Sequence, residues 1–347
     1  MRALGAMSIE VVDPVTDYAN LMETLFDFDS ISQLLIGGFS HKFDAMHAVT
    51  GPYAVEIFER RLGAPGNTVI NRNPQPDFGG GHPDPNPIWA KPLVDLVMAT
   101  DAPDFAAASD GDRNIVLSRG VYVTPSDSLA VLVANAHLAP GCADGLGGVA
   151  RSLPTSRAVD RVAAAKGIDC YETPTGWKFF DNLLDAGRAT ICGEESAGTG
   201  GNRVREKDGI WAVLLWLNIL AETGLSVKGL LTDHWRQYGR NYFSRHDCEA
   251  LDTRSANAMI DDLRAKLAGL PGESFAAGVV ATADELAYDD PVDGSRSEGQ
   301  GIHITFEVDP PKLDDEVEAE LAAVIEAADQ IADIRRHTGR DRPDVKT

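Results

Sequence analysis

An acidic turn with an arginine beside it stands in the first half of the chain. Asp110, Gly111, Asp112 and Arg113 follow directly after a short apolar run. A glycine between two aspartates permits a tight loop in which both carboxylates turn inward, and carboxylate oxygens bind hard divalent cations. The neighbouring guanidinium could neutralise these charges or hold a phosphate. The pattern therefore predicts a metal loop, with an acidic surface turn as the alternative.

A second segment that could do chemistry, residues 193–200, has the sequence GEESAGTG. Glu194 and Ser196 stand two positions apart among small residues. Together they could bind neighbouring hydroxyls of a sugar, because each sugar hydroxyl both donates and accepts hydrogen bonds. The alternative is a plain turn between a strand and a helix, with a glutamate at the helix start.

Three cations follow this segment at alternate positions: Arg203, Arg205 and Lys207. Alternate residues of an extended segment point to the same side. In a chain with 31 basic and 53 acidic residues and a net charge of −22, such a local cluster predicts a phosphate group on the ligand. Solvated cations near a helix start are the alternative.

The composition narrows the possible classes of function. A chain of 347 residues with 44% apolar and 24% charged residues is typical of globular proteins. Its acidity argues against a nucleic-acid partner, which needs concentrated lysine and arginine, but permits a small phosphorylated ligand. The densest apolar run, residues 210–220, is about 11 residues long and suits a buried helix, so no membrane partner is expected. Because no secretory signal stands at the N-terminus, we expect a cytoplasmic protein.

The elements that must position these residues alternate between strands and helices. Strands are predicted over residues 105–108, 148–152, 169–172 and 189–193, with helical patterns between most of them. Such alternation is typical of parallel βαβ units, whose ligands bind at the carboxyl ends of the strands. We therefore predict an α/β protein whose first two blocks, residues 8–119 and 120–239, are mixed or parallel-sheet α/β domains.

The third block, residues 240–347, has a different pattern. Residues 302–308 alternate as in a strand, and apolar residues from 311 to about 336 lie on one helical face. This indicates a small α+β domain that ends in a long helix.

Together these segments resemble the α-D-phosphohexomutase superfamily, and within it the phosphoglucomutases that act on glucose phosphates. The resemblance extends over nearly the whole chain. It is carried by the runs FDAMHAVTGPYA (43–54), DFGGGHPDPN (77–86), SDGDRN (109–114), RSLPTSRAVDRVA (151–163), YETPTGWKFFDNL (171–183), ICGEESAGTG (191–200), REKDGIWAVL (205–214) and YDDPVDGS (288–295).

The resemblance implies interconversion of glucose 1-phosphate and glucose 6-phosphate. A phosphoserine gives its phosphoryl group to the sugar, and the bisphosphate reorients and returns its other phosphate, while Mg²⁺ stabilises the charge. The resemblance implies Asp110 and Asp112 as the metal ligands. It implies a hexose phosphate as the ligand, with a substrate-binding set formed by Arg113, Thr175, Gly176, Glu194, Ser196 and Lys207.

Three features depart from the family pattern. No T-A-S-H-N-P loop occurs in the 347 residues, so no nucleophilic serine is assigned. The family metal loop D-G-D-G-D-R is two residues shorter here and lacks one carboxylate. The family's R-x-S-G-T-G phosphate loop is missing between the strand at 302–308 and the following helix, which makes the α+β C-terminal domain incomplete. We therefore expect the isolated chain to have no mutase activity.

Two interpretations of this chain stay open. It could be a phosphoglucomutase whose serine domain is supplied by a separate chain, or a degenerate, non-catalytic hexose-phosphate-binding relative or gene fragment. A further possibility is that the third block does not fold stably, because missing strands would leave open sheet edges.

Overall fold

The computed structural model describes residues 2–4, 7–307 and 317–346. The N-terminal part of the chain forms a five-stranded sheet with helices packed on it. Its elements are β1 (Arg2–Leu4), β2 (Met7–Ile9), α1 (Pro14–Leu25), α2 (Phe28–Ile36), β3 (His41–Asp44), α3 (Thr50–Ala54), which continues as a π-helical segment Val55–Arg61, β4 (Val69–Ile70), α4 (Lys91–Val97), β5 (Phe105–Ser109), β6 (Asn114–Ser118) and β7 (Val121–Val123).

This first sheet has the strand order β4-β3-β5-β6-β7. Strands β3, β4 and β5 are parallel, and β6 and β7 add to them as antiparallel strands. Strand β5 is buried along its whole length and ends at Ser109, directly before Asp110. The predicted mixed sheet is thus confirmed, with the acidic loop at a strand end.

The second block forms a four-stranded sheet with the order β11-β10-β8-β9. Its β8, β9 and β10 are parallel, and β11 pairs with β10 in the antiparallel sense. Its elements are α5 (Pro125–Asn135), β8 (Gly148–Ser152), α6 (Ala158–Lys166), β9 (Asp169–Thr173), α7 (Lys178–Asp185), β10 (Ile191–Gly193), β11 (Thr199–Gly201), α8 (Gly209–Thr223) and α9 (Val227–Tyr238).

Helix α8 joins the first two blocks through a shared hydrophobic core. Its Trp216 is fully buried, lies 6.5 Å from Phe105 of β5 between ring centroids, and donates a hydrogen bond to Ser128 of α5. The same apolar cluster includes Val149 and Ile191 of the second sheet. Among the described helices none is by itself long and apolar enough to cross a membrane, and the pair α8 and α9, which together pass on length and composition, is bent by 85°.

The third block is an α+β unit, as the sequence predicts. Its elements are β12 (His246–Asp247), α10 (Thr253–Lys266), β13 (Ser274–Phe275), β14 (Gly278–Asp289), β15 (Arg296–Glu307), α11 (Val317–Ala332), α12 (Ile334–Thr338) and β16 (Val345–Lys346). Strands β13, β14 and β15 form an antiparallel sheet, and β12 pairs with β16.

The structure describes only part of the predicted C-terminal helix over residues 311–336, and that part is interrupted. Residues 308–316, which include the predicted end of the strand and the start of the helix, lie outside the described part of the chain. The prediction of one continuous helix up to residue 336 is wrong, because Asp333 has a left-handed backbone with φ 50° and separates α11 from α12.

Candidate functional site

The two candidate loops meet at the junction of the first two blocks. The aspartate loop, residues 110–113, connects β5 to β6, and the glutamate loop, residues 194–198, connects β10 to β11. The Asn114 amide donates to the Ala197 carbonyl at 3.0 Å, and Arg113 forms an antiparallel bridge with Gly198. Backbone hydrogen bonds thus hold together two loops that are more than 80 residues apart in the sequence.

The start of helix α8 packs against this junction. Gly209 lies so close to the first block that a Cβ there would be 2.3 Å from the Ser109 hydroxyl oxygen. The preceding residue, Asp208, caps the helix by accepting a hydrogen bond from the Trp211 amide. Its carboxylate also accepts a hydrogen bond from the Tyr18 hydroxyl, at 2.7 Å from Oδ2. Burial raises the pKa of Asp208.

Lys207 bridges the two loops. Its ammonium lies 2.9 Å from Glu194 Oε2 and 3.9 Å from Asp112 Oδ2. The Glu194 side chain is only 2% exposed, whereas the Asp112 side chain is 51% exposed. The Gly176 amide donates to Glu194 Oε1 at 3.3 Å, which brings the threonine loop, residues 174–177, to the same carboxylate. Glu194 Oε2 is buried, and the Lys207 ammonium is its charged neighbour.

The remaining predicted residues line the same region at its more open side. Ser196 is partly exposed and borders a small cleft with Asp84, Tyr122 and Arg245. Thr175 is exposed beside Gly176. Of the predicted substrate-binding set, the structure places Lys207 and Gly176 in contact with Glu194, joins Arg113 to the glutamate loop by a backbone bridge, and leaves Thr175 and Ser196 at the edge of the same region.

Arg113 is held by carboxylates on two sides. Its guanidinium lies 2.9 Å from Asp84 Oδ1 and 2.5 Å from Asp110 Oδ2, and it also donates to the Pro83 carbonyl. The pKa of Asp110 is raised to about 6 because burial disfavours its charge, although Arg113 opposes this shift. Asp84 was not among the predicted residues. The proline-rich run HPDPN that carries it was visible in the sequence, but nothing in that run indicated that Arg113 lies opposite.

The residues present do not form a complete Mg²⁺ site by themselves. Asp110 already accepts the amide of Arg113 on Oδ1 and its guanidinium on Oδ2, which leaves Asp112 as the open carboxylate of the loop. Among the described residues no group of three histidines, cysteines or acids converges in a way that could hold a metal ion. Mg²⁺ demands octahedral oxygen ligation and is usually held by one or two carboxylates with water and substrate phosphate completing the shell.

Glu195 is a second residue of the site that sequence reasoning did not assign. It is buried, and its Oε2 accepts hydrogen bonds from Ser152 at 2.8 Å and Thr155 at 3.3 Å. Its own amide donates to the Thr155 hydroxyl. The polar loop after β8 therefore anchors the glutamate loop, and the small hydroxyl residues at 152–156 were the available signal.

The predicted cluster of three cations is wrong. Arg205 has a left-handed backbone with φ 64°, which breaks the alternation, and it pairs with exposed Asp185. Arg203 lies away from the two loops and lines a small cavity with Cys142 and Trp211. Of the three, only Lys207 reaches the site.

Comparison with known proteins agrees with this architecture. Residues 16–119 and 125–238 match the family models for phosphoglucomutase/phosphomannomutase alpha/beta/alpha domains II and III, and residues 240–311 match the phosphoglucomutase-1 C-terminal domain. A phosphoglucomutase of Rhizobium radiobacter is 54% identical over 370 aligned residues, which cover 98% of this chain and 68% of that protein. The chain belongs to the phosphoglucomutase family. This family interconverts glucose 1-phosphate and glucose 6-phosphate.

Other phosphoglucomutases are longer than this chain. Human phosphoglucomutase-1 is 43% identical over 98% of this chain and 67% of its own length. The crystal structure of the Paramecium phosphoglucomutase parafusin in its open form superimposes with a TM-score of 0.88 at 44% identity, covering 97% of this chain and 65% of that one. The chain thus spans about two thirds of the length of these phosphoglucomutases, and 59% of the chloroplastic enzyme of Marchantia polymorpha.

Proposed function

We propose that this chain binds a hexose phosphate, either glucose 1-phosphate or glucose 6-phosphate, between the aspartate loop and the glutamate loop. The observation that carries the proposal is the position of Lys207, whose ammonium lies between Glu194 and Asp112 and therefore between the two loops. A carboxylate paired with a cation between two polar loops is suited to a ligand that carries both hydroxyls and a phosphate.

Each residue has a separate task in this proposal. Glu194 accepts hydrogen bonds from ring hydroxyls, and Ser196 both donates and accepts at the open side of the site. Lys207 and Arg113 supply positive charge for the phosphate. Because the Asp112 contact is long and half exposed, an entering phosphate competes with Asp112 for Lys207 and leaves the shorter Glu194 pair in place.

Calorimetry with glucose 1-phosphate tests this binding. We expect saturable heat with the unaltered chain and about tenfold weaker binding for Glu194→Ala, since a hydrogen bond to a charged group contributes about 1.5–3 kcal/mol. Glu222→Ala, which removes an exposed glutamate near the end of α8, is the matched control and should bind as the unaltered chain does. The absence of heat with every protein would refute the binding proposal.

We propose further that the mutase reaction requires a polypeptide that carries the phosphoserine loop. Phosphoryl transfer depends on positioning and charge stabilisation around a nucleophile, and no T-A-S-H-N-P loop occurs in these 347 residues. A coupled assay for glucose 6-phosphate should give no turnover with this chain alone and turnover after a serine-loop domain of a relative is added. Binding without turnover in both assays would favour the non-catalytic relative or gene fragment.

For Mg²⁺ we propose weak binding at Asp110 and Asp112 that depends on additional ligands. Titration with Mg²⁺ alone should show no saturation below about millimolar concentration, because two carboxylates of one loop, one of them held by Arg113, provide few ligands. Tight binding of Mg²⁺ by the chain alone would contradict this. A cytoplasmic location and the lack of nucleic-acid or membrane partners stay predictions.

A further inference from the structure

The β14–β15 hairpin of the third block contacts both elements that flank the threonine loop. Before the loop, His303 Nε2 of β15 lies 3.7 Å from Glu172 Oε1 of β9. After the loop, Asn182 of α7 donates to Asp290 Oδ2 at 3.0 Å. The hairpin, which is more than 100 residues away in the sequence, therefore lies against both elements that flank the threonine loop.

The Asp290 contact is the more enclosed of the two. Asp290 is only 3% exposed, and its carboxylate accepts hydrogen bonds from the Asn182 amide, the Tyr288 hydroxyl and the backbone amides of Val292 and Asp293. The Asn182 side chain also donates to Asp293 Oδ2 at 3.3 Å. A buried carboxylate must be satisfied by donors, so losing one of them is costly.

Helix α7 is held between the hairpin and the second block. Phe180, Leu183 and Leu184 enter the apolar cluster of the second block. Phe179 packs edge-on against Tyr288 with the ring centroids 5.6 Å apart, and Asn182, one turn further, meets Asp290. The helix therefore has one face in the second block and another on the hairpin.

The start of α7 adjoins the candidate site. The helix begins at Lys178, directly after the threonine loop, and the Gly176 amide of that loop donates to Glu194. Trp177 is buried, and its indole nitrogen donates to the Arg205 carbonyl at 3.2 Å. The position of α7 and the Gly176 contact are therefore connected through two residues of the chain.

We propose that Asp290 is a positioning residue for the site: through Asn182 it holds α7 and keeps the Gly176 amide on Glu194. The importance of that contact for ligands rests on the proposed function, but the contact itself can be measured without a ligand. The third block, in this proposal, contributes to the site through a supporting contact rather than by touching the ligand.

Amide hydrogen exchange followed by NMR tests the proposal. Asn182→Asp places a third carboxylate beside Asp290 and Asp293 and should speed exchange at Gly176 and at residues 288–295 about tenfold, because like charges repel at this distance. Asn182→Ala, which only removes the donor, should act in the same direction with a smaller change. Asn67→Asp, at an exposed position of the first block, is the matched control and should leave both regions unchanged.

The decisive variant combines Asn182→Asp with Asp290→Asn, which exchanges donor and acceptor. It should slow exchange at Gly176 part of the way back towards the unaltered chain, since the amide at position 290 can donate to the carboxylate at 182, while Asp293 still repels that carboxylate. Loosening that stays confined to the hairpin, or a double variant that behaves like Asn182→Asp, would overturn the proposal. A failure of glucose 1-phosphate to bind would refute the proposed function and leave the exchange result standing.

Discussion

The Lys207 ammonium lies 2.9 Å from the buried Glu194 carboxylate, and the two residues sit on different sides of strand β11 in the sequence. The Glu194 side chain is 2% exposed and that of Lys207 is 19% exposed, so the pair is largely removed from water. Removing one partner of a buried ion pair leaves an uncompensated charge, whereas removing both does not.

This asymmetry gives the first prediction. Lys207→Met should lower the free energy of unfolding by about 3 kcal/mol, because it leaves Glu194 charged and buried. The double variant with Glu194→Gln should lose less than the sum of the two single losses. Urea denaturation of the four proteins measures the coupling, and strictly additive losses would contradict a buried pair.

A second prediction concerns Asp127 of α5. Burial raises the pKa of this carboxyl from 3.8 to about 6. Between these two values the carboxyl ionises in the unfolded chain but stays protonated in the folded chain, so its contribution to the free energy of unfolding decreases as the pH rises. The decrease should amount to about 3 kcal/mol. Asp127→Asn should remove it, as measured by denaturation at pH 4 and pH 7, and an unchanged slope would count against this assignment.

His41 should give a pH dependence of the opposite sign. Burial lowers the pKa of His41 from 6.5 to about 4, so between these values the unfolded chain binds the proton and the folded chain does not. The contribution of His41 to the free energy of unfolding therefore falls as the pH drops from 6.5 to about 4, by about 3 kcal/mol.

His41→Leu should flatten this acid-side slope only in part. Burial also lowers the pKa of His234 to about 4, and this second histidine contributes with the same sign. Melting temperatures of the variant measured from pH 4 to 7 would show the half of the pH dependence that His234 contributes. A slope unaffected by the substitution would mean that His41 accepts a proton in the folded protein.

The close approach of α8 to the first block gives a fourth prediction. Gly209→Ala would place Cβ 2.3 Å from the Ser109 hydroxyl oxygen, so the helix start must move and the protein should lose about 2 kcal/mol. Gly229→Ala, also in the first turn of a helix, meets no atom closer than 3.3 Å and should change stability by no more than about 0.5 kcal/mol. Equal losses in thermal denaturation would contradict a specific cost of the Ser109 contact.

Much of the candidate site was predictable because its loops follow strands with a clear apolar pattern. Strand β5 is buried throughout, and the aspartate loop begins at the next residue; strand β10 in the same way precedes the glutamate loop. Gly111 has φ 135°, the left-handed region that the predicted tight turn between two aspartates requires. Such features depend on neighbours within a few positions, so the residue order alone specifies them.

The partners of these loops could not be predicted in this way. Asp84 on Arg113, Thr155 on Glu195 and Asp290 on Asn182 are 29, 40 and 108 positions from the residues they hold. The spacing of the cations at 203, 205 and 207 predicts that they lie on one side of the chain. The left-handed backbone at Arg205 breaks this alternation, and their side chains lie on different surfaces.

By itself, then, the sequence determined the α/β alternation, the strand ends that carry the acidic and hydroxyl side chains, and the family to which the chain belongs. The tertiary structure alone decided which of those side chains meet, that α8 unites the first two blocks in one core, and that the third block contacts the elements beside the threonine loop. The reason is physical: local backbone preference and hydrophobic periodicity act over a few residues, whereas a buried charge must find its donors wherever the folded chain brings them.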